Sequence, residues 1–187
     1  MRCGVGVAAV RAEPSDEAEQ VTQVLLHEPL EADEQRAGWA RIRTAYGYPG
    51  WIRVEALEEG RGRLPDASGA TPLEEARRFV GSPYEWGGLT TDGIDCSGLV
   101  HIAYRLALGR IVPRDSWQQE AGGVVVAGED ARPGDLVTYG SGSRADHVAF
   151  WLGGDRILHA TSREGLGVVD EDEPTELRSK RRRVVRL

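Results

Sequence analysis

The sequence predicts two units in series, a small all-β barrel followed by an α+β domain whose helices precede an antiparallel sheet. Three observations carry this. Short β-type runs crowd residues 1–60, a loop-like stretch without apolar periodicity follows, and beyond it helical patterns come first and strands later. These divide the 187 residues into an all-β domain over 1–60, a linker over 61–71 and a larger domain over 72–187, long enough to bury a substantial core.

The first strands are expected at Val5–Val10, Val21–Leu26, Trp39–Arg43 and Gly50–Val54, with turns at Glu13-Pro14, Glu28-Pro29 and Tyr48-Pro49-Gly50. Gly60, Gly62, Pro65, Ser68 and Gly69 mark the linker. Leu73, Ala76, Phe79 and Val80 then fall at helical spacing, with Thr71 able to cap and Pro72 suited to the first turn, so a helix is expected over 72–80. After a glycine-rich loop from Gly81 to Gly93, a second helix runs from Cys96 to Leu108 and stops at Gly109. Strands are expected at Asp135–Tyr139, His147–Leu152, Arg156–Thr161, Val168–Val169 and Arg183–Leu187. The basic cluster 178–183 follows an acidic run and reads as an exposed turn entering the last strand.

Composition excludes some functions. With 40% apolar and 28% charged residues, and no apolar run of bilayer-spanning length, the chain is not expected to be an integral membrane protein. A net charge of −7 argues against general affinity for nucleic acid or anionic wall polymers. Residues 1–60 carry six Arg against eleven Asp or Glu, a net of −5, and residues 61–187 carry −2, so the acidity is concentrated in the small unit. That is either a solvated surface or an attraction for a cationic group such as a free amine. The apolar start is too short and glycine-rich for a secretory signal, which gives a cytoplasmic expectation. Cys3 and Cys96, in different units, form no disulfide framework.

Cys96 stands at the start of its helix, where partial positive charge and unpaired amides favour a thiolate. A lone cysteine is more often a small buried hydrophobe, so the histidines decide. His147-Val148-Ala149-Phe150-Trp151-Leu152 and Arg156-Ile157-Leu158-His159-Ala160-Thr161 form a hairpin across Gly153-Gly154-Asp155. With a three-residue loop, Leu152 faces Arg156 and Ala149 faces His159. His147 and His159 then share a face as diagonal neighbours, roughly 7–8 Å apart at Cα. With a two-residue loop they point to opposite faces. Glycine in the loop is compatible with the three-residue form. Two imidazoles on one face, opposite a cysteine at a helix start, are the parts of a nucleophile, a base and an orienting third residue. The same residue types also bind zinc, though these arrive singly rather than at ligand spacing. His27 and His101 are expected to be surface or packing residues.

These residues resemble the NlpC-type cell-wall endopeptidases, a bacterial branch of the papain-like fold. The likeness runs from Leu73 to about Val169 through Gly81-Ser82-Pro83-Tyr84-Glu85-Trp86-Gly87-Gly88, Gly93-Ile94-Asp95-Cys96-Ser97-Gly98-Leu99-Val100, Pro113-Arg114-Asp115-Ser116-Trp117-Gln118-Gln119, Arg132-Pro133-Gly134-Asp135-Leu136 and the two histidine strands. The resemblance implies Cys96 as nucleophile, His147 as base, His159 as third member and Tyr84 beside the oxyanion, together with the Cys96 backbone amide. It implies no metal and no organic cofactor.

The first unit, through Arg11-Ala12-Glu13-Pro14-Ser15, Glu19-Gln20-Val21-Thr22-Gln23-Val24-Leu25-Leu26, Gly38-Trp39-Ala40 and Gly47-Tyr48-Pro49-Gly50-Trp51-Ile52, resembles the bacterial SH3-like module of γ-D-glutamyl-diamino acid endopeptidases. Those enzymes trim short murein peptides that begin with a free L-alanine. The resemblance implies that Glu19, Tyr48 and Asp95 hold the substrate amine, with Ser97 among the substrate-binding positions. Read as residues alone, Asp95 is equally an N-cap whose carboxylate raises the thiol pKa, Tyr48 a barrel aromatic and Glu19 a solvated charge. Two positions depart from the pattern. No aspartate precedes Gly47, and His27 follows Leu26 where glycine is common. The expected function is therefore cytoplasmic hydrolysis of the bond between γ-linked D-glutamate and the diamino acid in released murein peptides. The alternatives are a secreted hydrolase whose module binds intact wall, and a related thiol amidase or acyltransferase.

Overall fold

The structure, a computed structural model, describes all residues from Met1 to Leu187. The chain forms two compact units, Met1–Asp66 with Trp86–Gly88, and Ala67–Glu85 with Leu89–Leu187.

In the first unit β1 (Val7–Arg11), β2 (Gln20–Leu25), β3 (Leu30–Arg36), β4 (Trp39–Thr44) and β5 (Pro49–Arg53) form an antiparallel sheet in the order β2-β1-β5-β4-β3. Alternate residues point inward, and Ala8, Val10, Val24, Leu30, Ala40, Ile42 and Ile52 make the core. The strand β3 was not expected. After Leu30 every side chain in it is exposed, so it carries no apolar alternation and is held by pairing with β4. His27 adopts φ 66°. That left-handed conformation is the physical reason glycine suits this position.

The second unit opens with α1 (Pro72–Arg77), closed at its start by a reciprocal capping box between Thr71 and Glu74. The helix is three residues shorter than the spacing implied, because the chain turns through 78–80 into Gly81 at φ 90°, whose N–H bonds Val168 O. Phe79 still reaches the core, whereas Val80 is exposed. Then come α2 (Cys96–Leu108) and α3 (Ser116–Gly122). Gly109, at φ 63°, ends α2.

β6 (Val124–Val126), β7 (Leu136–Tyr139), β8 (His147–Gly153), β9 (Arg156–Thr161), β10 (Gly167–Asp172) and, after the short α4 (Thr175–Arg178), β11 (Arg181–Arg186) form one sheet in the order β6-β11-β7-β8-β9-β10. All its pairings are antiparallel. The edge strand β6 and the helix α3 had no sequence expectation, since α3 is short and lacks an apolar stripe and Val124 and Val125 are exposed. α2 packs against α1, β8 and β9.

The β8–β9 hairpin corrects the loop but keeps the parity. Gly153 pairs with Arg156, leaving the two-residue loop Gly154-Asp155, both at positive φ. The register shifts between Trp151 and Gly153, and beyond the shift Trp151 faces Ile157 and Phe150 faces Leu158. The extra residue in β8 undoes the inversion that a two-residue loop would impose. His147 and His159 therefore share a face.

Candidate active site

The site is assembled in the second unit from the start of α2 and the edges of β8, β9 and β10. Asp95 is the N-cap of α2, its Oδ1 accepting from Gly98 N at 2.6 Å. This turns Cys96 onto the first turn of the helix, 6% exposed. The amides of Ser97 and of Val148, the residue after His147, point at its sulfur. Burial first, and then the Asp95 carboxylate, push the thiol up to about 12; the two amides and Arg114 oppose them.

Arg114 answers the charge of Asp95. Its Nη1 donates to Asp95 Oδ1 at 2.9 Å and its Nη2 to Oδ2 at 2.6 Å, and Nη1 also reaches Ser97 Oγ at 3.0 Å. Both oxygens of Asp95 and the hydroxyl of Ser97 are therefore engaged inside the protein. Gln119 Nε2 donates to the carbonyls of Ser97 and Pro113, tying the turn that carries Arg114 to the base of α2. Arg114 stood in the sequence motif without a role; a buried bidentate partner for a carboxylate is what an arginine there supplies.

His147 Nε2 and His159 Nδ1 are 2.7 Å apart. Each ring is pushed down in pKa, chiefly by burial. Tyr139, paired with His147 across β7 and β8, lays its ring 5.7 Å from the imidazole between centroids. Its hydroxyl donates to the fully buried Glu173, which Arg178 and Arg181 also bond. His159 Nε2 continues to Glu171 Oε1 at 3.0 Å, and Arg163 Nη2 donates to both oxygens of Glu171 at 2.7 and 2.5 Å. Glu171 and Tyr139 were missed. Sequence reading ended the β10 strand at Val169, because the acidic run 170–172 looks like solvated chain. A pocket opens beside the pair, lined by His147, His159, Thr161, Ser162, Arg163 and Leu177.

Tyr84 is held by a bridge to Ile94. Burial, and then the charges of Cys96 and Asp95, raise its phenol. It thus stays protonated and able to donate. His101 is a packing residue, fully buried with Nδ1 2.7 Å from Val112 O. In the first unit Glu19 is exposed and its Oε1 accepts from Trp86 Nε1 at 2.7 Å, while Tyr48 is half-buried with its ring 6.4 Å from Tyr46. No group of three or more His, Cys, Asp or Glu is arranged to hold a metal ion.

A helix-borne thiol beside a histidine pair on an antiparallel sheet defines the class as papain-like. Residues 81–182 match the NlpC/P60 family, over half the chain, and residues 6–58 match the bacterial SH3 domain. The chain belongs to the NlpC/P60 family. It is similar to the murein DD-endopeptidase MepS/murein LD-carboxypeptidase of Escherichia coli, 36% identical over 102 residues that cover 54% of either protein. It is also similar to the γ-D-glutamyl-L-lysine dipeptidyl-peptidase of Bacillus cereus, 31% identical over 130 residues, 66% of this chain and 38% of that protein. The chain thus spans about half or less of the curated relatives it matches. An NlpC/P60 family protein from Bacillus cereus shares the fold, with a TM-score of 0.59 at 24% identity over 99% of this chain and 62% of that one.

Proposed function

We propose that the chain is a cysteine peptidase that hydrolyses the γ-D-glutamyl-diamino acid bond of short murein peptides with a free N-terminal L-alanine, as a step of peptidoglycan recycling. The observation that carries the peptidase reading is the 2.7 Å contact of His159 with His147, whose strand also brings the Val148 amide to the Cys96 sulfur.

The thiol proton passes to His147 as sulfur attacks the γ-carbonyl carbon of the D-glutamyl residue. The oxyanion is met by the Cys96 backbone amide, which as the first helical N–H has no partner within α2, and by the Tyr84 hydroxyl. The His147 imidazolium returns the proton to the departing amine of the diamino acid, the C–N bond breaks, and a thioester remains on Cys96. Water, deprotonated by His147, then attacks the thioester, releasing the dipeptide and restoring the thiol.

The substrate class rests on the likeness to relatives named for murein and γ-D-glutamyl peptides. The free-amine requirement rests on the resemblance that nominates Glu19, Tyr48 and Asp95, and on the acidity of the first unit. An amine held at a fixed site would set how far along the peptide Cys96 attacks. Mass spectrometry of the L-Ala-γ-D-Glu-diamino acid tripeptide beside its N-acetylated form tests this. Cleavage of the free peptide alone is expected, and equal cleavage of both would sink the amine requirement.

A further inference from the structure

The hydrogen-bond chain does not end at the second histidine. A carboxylate only accepts hydrogen bonds, whereas a neutral imidazole offers one N–H and one bare nitrogen. Since His159 Nε2 lies 3.0 Å from Glu171 Oε1, its proton belongs on Nε2. Its Nδ1 is then bare and must accept, so the proton shared across the 2.7 Å contact belongs to His147 Nε2. His147 is left with Nδ1 as its basic nitrogen. Without the carboxylate the contact works equally well reversed, with His159 donating from Nδ1 and His147 carrying its proton on the nitrogen that should be bare.

Glu171 is itself fixed. Arg163 donates to both of its oxygens, and its side chain keeps only 20% exposure against 1% for His159. Burial acts to raise its carboxyl, but the bonds from His159 and Arg163 outweigh this and the net shift is downward, so it is ionised. We infer that Glu171, clamped by Arg163, is a positioning residue that fixes the tautomers of both histidines so that His147 presents Nδ1 as the base for Cys96. This rests on the cysteine-peptidase reading, but its test uses no peptide.

Long-range proton–nitrogen NMR of the full chain labelled with ¹⁵N-histidine reads the tautomers directly. In the wild type, Nε2 of both His147 and His159 should carry the proton and both Nδ1 atoms should be bare. In Glu171→Leu that preference should be lost, and alkylation of Cys96 by iodoacetamide, followed by mass at the Cys96 peptide, should slow roughly tenfold to a hundredfold. Arg163→Leu, which leaves the acceptor in place, should keep the tautomers. A wild-type His147 protonated at Nδ1 overturns the inference, even if no variant folds. Unchanged tautomers and alkylation in Glu171→Leu overturn it too, and reduce Glu171 to a partner of Arg163. If the tautomers are as stated and no murein peptide is cleaved, the peptidase reading falls while the positioning role stands.

Discussion

Asp95 and Arg114 form a bidentate pair immediately before Cys96, with side-chain exposures of 7% and 2%. The carboxylate caps the helix that carries the thiol, and the guanidinium offsets the charge that would otherwise oppose thiolate formation. Removing one partner of such a pair leaves a buried, uncompensated charge. Arg114→Leu should therefore lower the unfolding free energy by about 3–5 kcal/mol, measured by urea denaturation. Because Arg114 pulls the Cys96 thiol down, the same change should also slow turnover. A variant as stable and active as the wild type would contradict the role given to the pair.

The thiol is raised to about 12 and His147 is pushed down, so the free protein should hold a neutral thiol and a neutral imidazole rather than an ion pair. The thiolate absorbance difference between wild type and Cys96→Ser should then stay flat from about pH 5 to about pH 9. A step in the acidic half of that range would show a preformed thiolate–imidazolium pair instead.

Acid should destabilise the fold through its buried histidines. His101, held down to about 3, and His147 and His159, also lowered, have an ordinary value of 6.5. Above that value each is neutral in both folded and unfolded chains. As pH falls below it the unfolded chain gains protons that the folded protein refuses, so stability is lost from 6.5 downward. His101 and His147, both held to about 3, each contribute about 1.4 kcal/mol per pH unit below 6.5, and His159 acts in the same direction, so a loss of several kcal/mol is expected between about pH 7 and about pH 5. Urea midpoints across that interval provide the check, and a flat profile would contradict it.

Gly167 admits no side chain. It sits at φ 67°, and a Cβ there would lie 2.1 Å from Ser82 O. Gly167→Ala should cost about 2 kcal/mol or more in stability, from the left-handed conformation and the backbone clash together. The clash displaces the segment that leads to Tyr84, so turnover should fall even at temperatures where the variant is folded. Thermal unfolding beside a turnover assay separates the two effects.

How much of this was legible depended on which signals are local. The helix Cys96–Leu108 was readable to the residue, because a capping aspartate and a stopping glycine directly flank its apolar run. The shared face of His147 and His159 was readable only as a conditional, since the bulge that restores parity across a two-residue loop leaves no mark in composition. The strand β3 was invisible because after Leu30 all its side chains are exposed, so no apolar alternation marks it. Glu171 and Arg114 were opaque for another reason. One charge in an acidic run and one arginine in a turn look solvated until the fold supplies their buried partners.

The central claim is that Cys96 attacks and carries the γ-D-glutamyl group. Mass spectrometry of wild type and Cys96→Ala, each incubated with the L-Ala-γ-D-Glu-diamino acid tripeptide, addresses it most directly. The expected result is free diamino acid and dipeptide from the wild type, with a transient dipeptidyl adduct on the Cys96 peptide, and intact substrate with Cys96→Ala. Cleavage by Cys96→Ala, or a tripeptide left whole by the wild type, would contradict it.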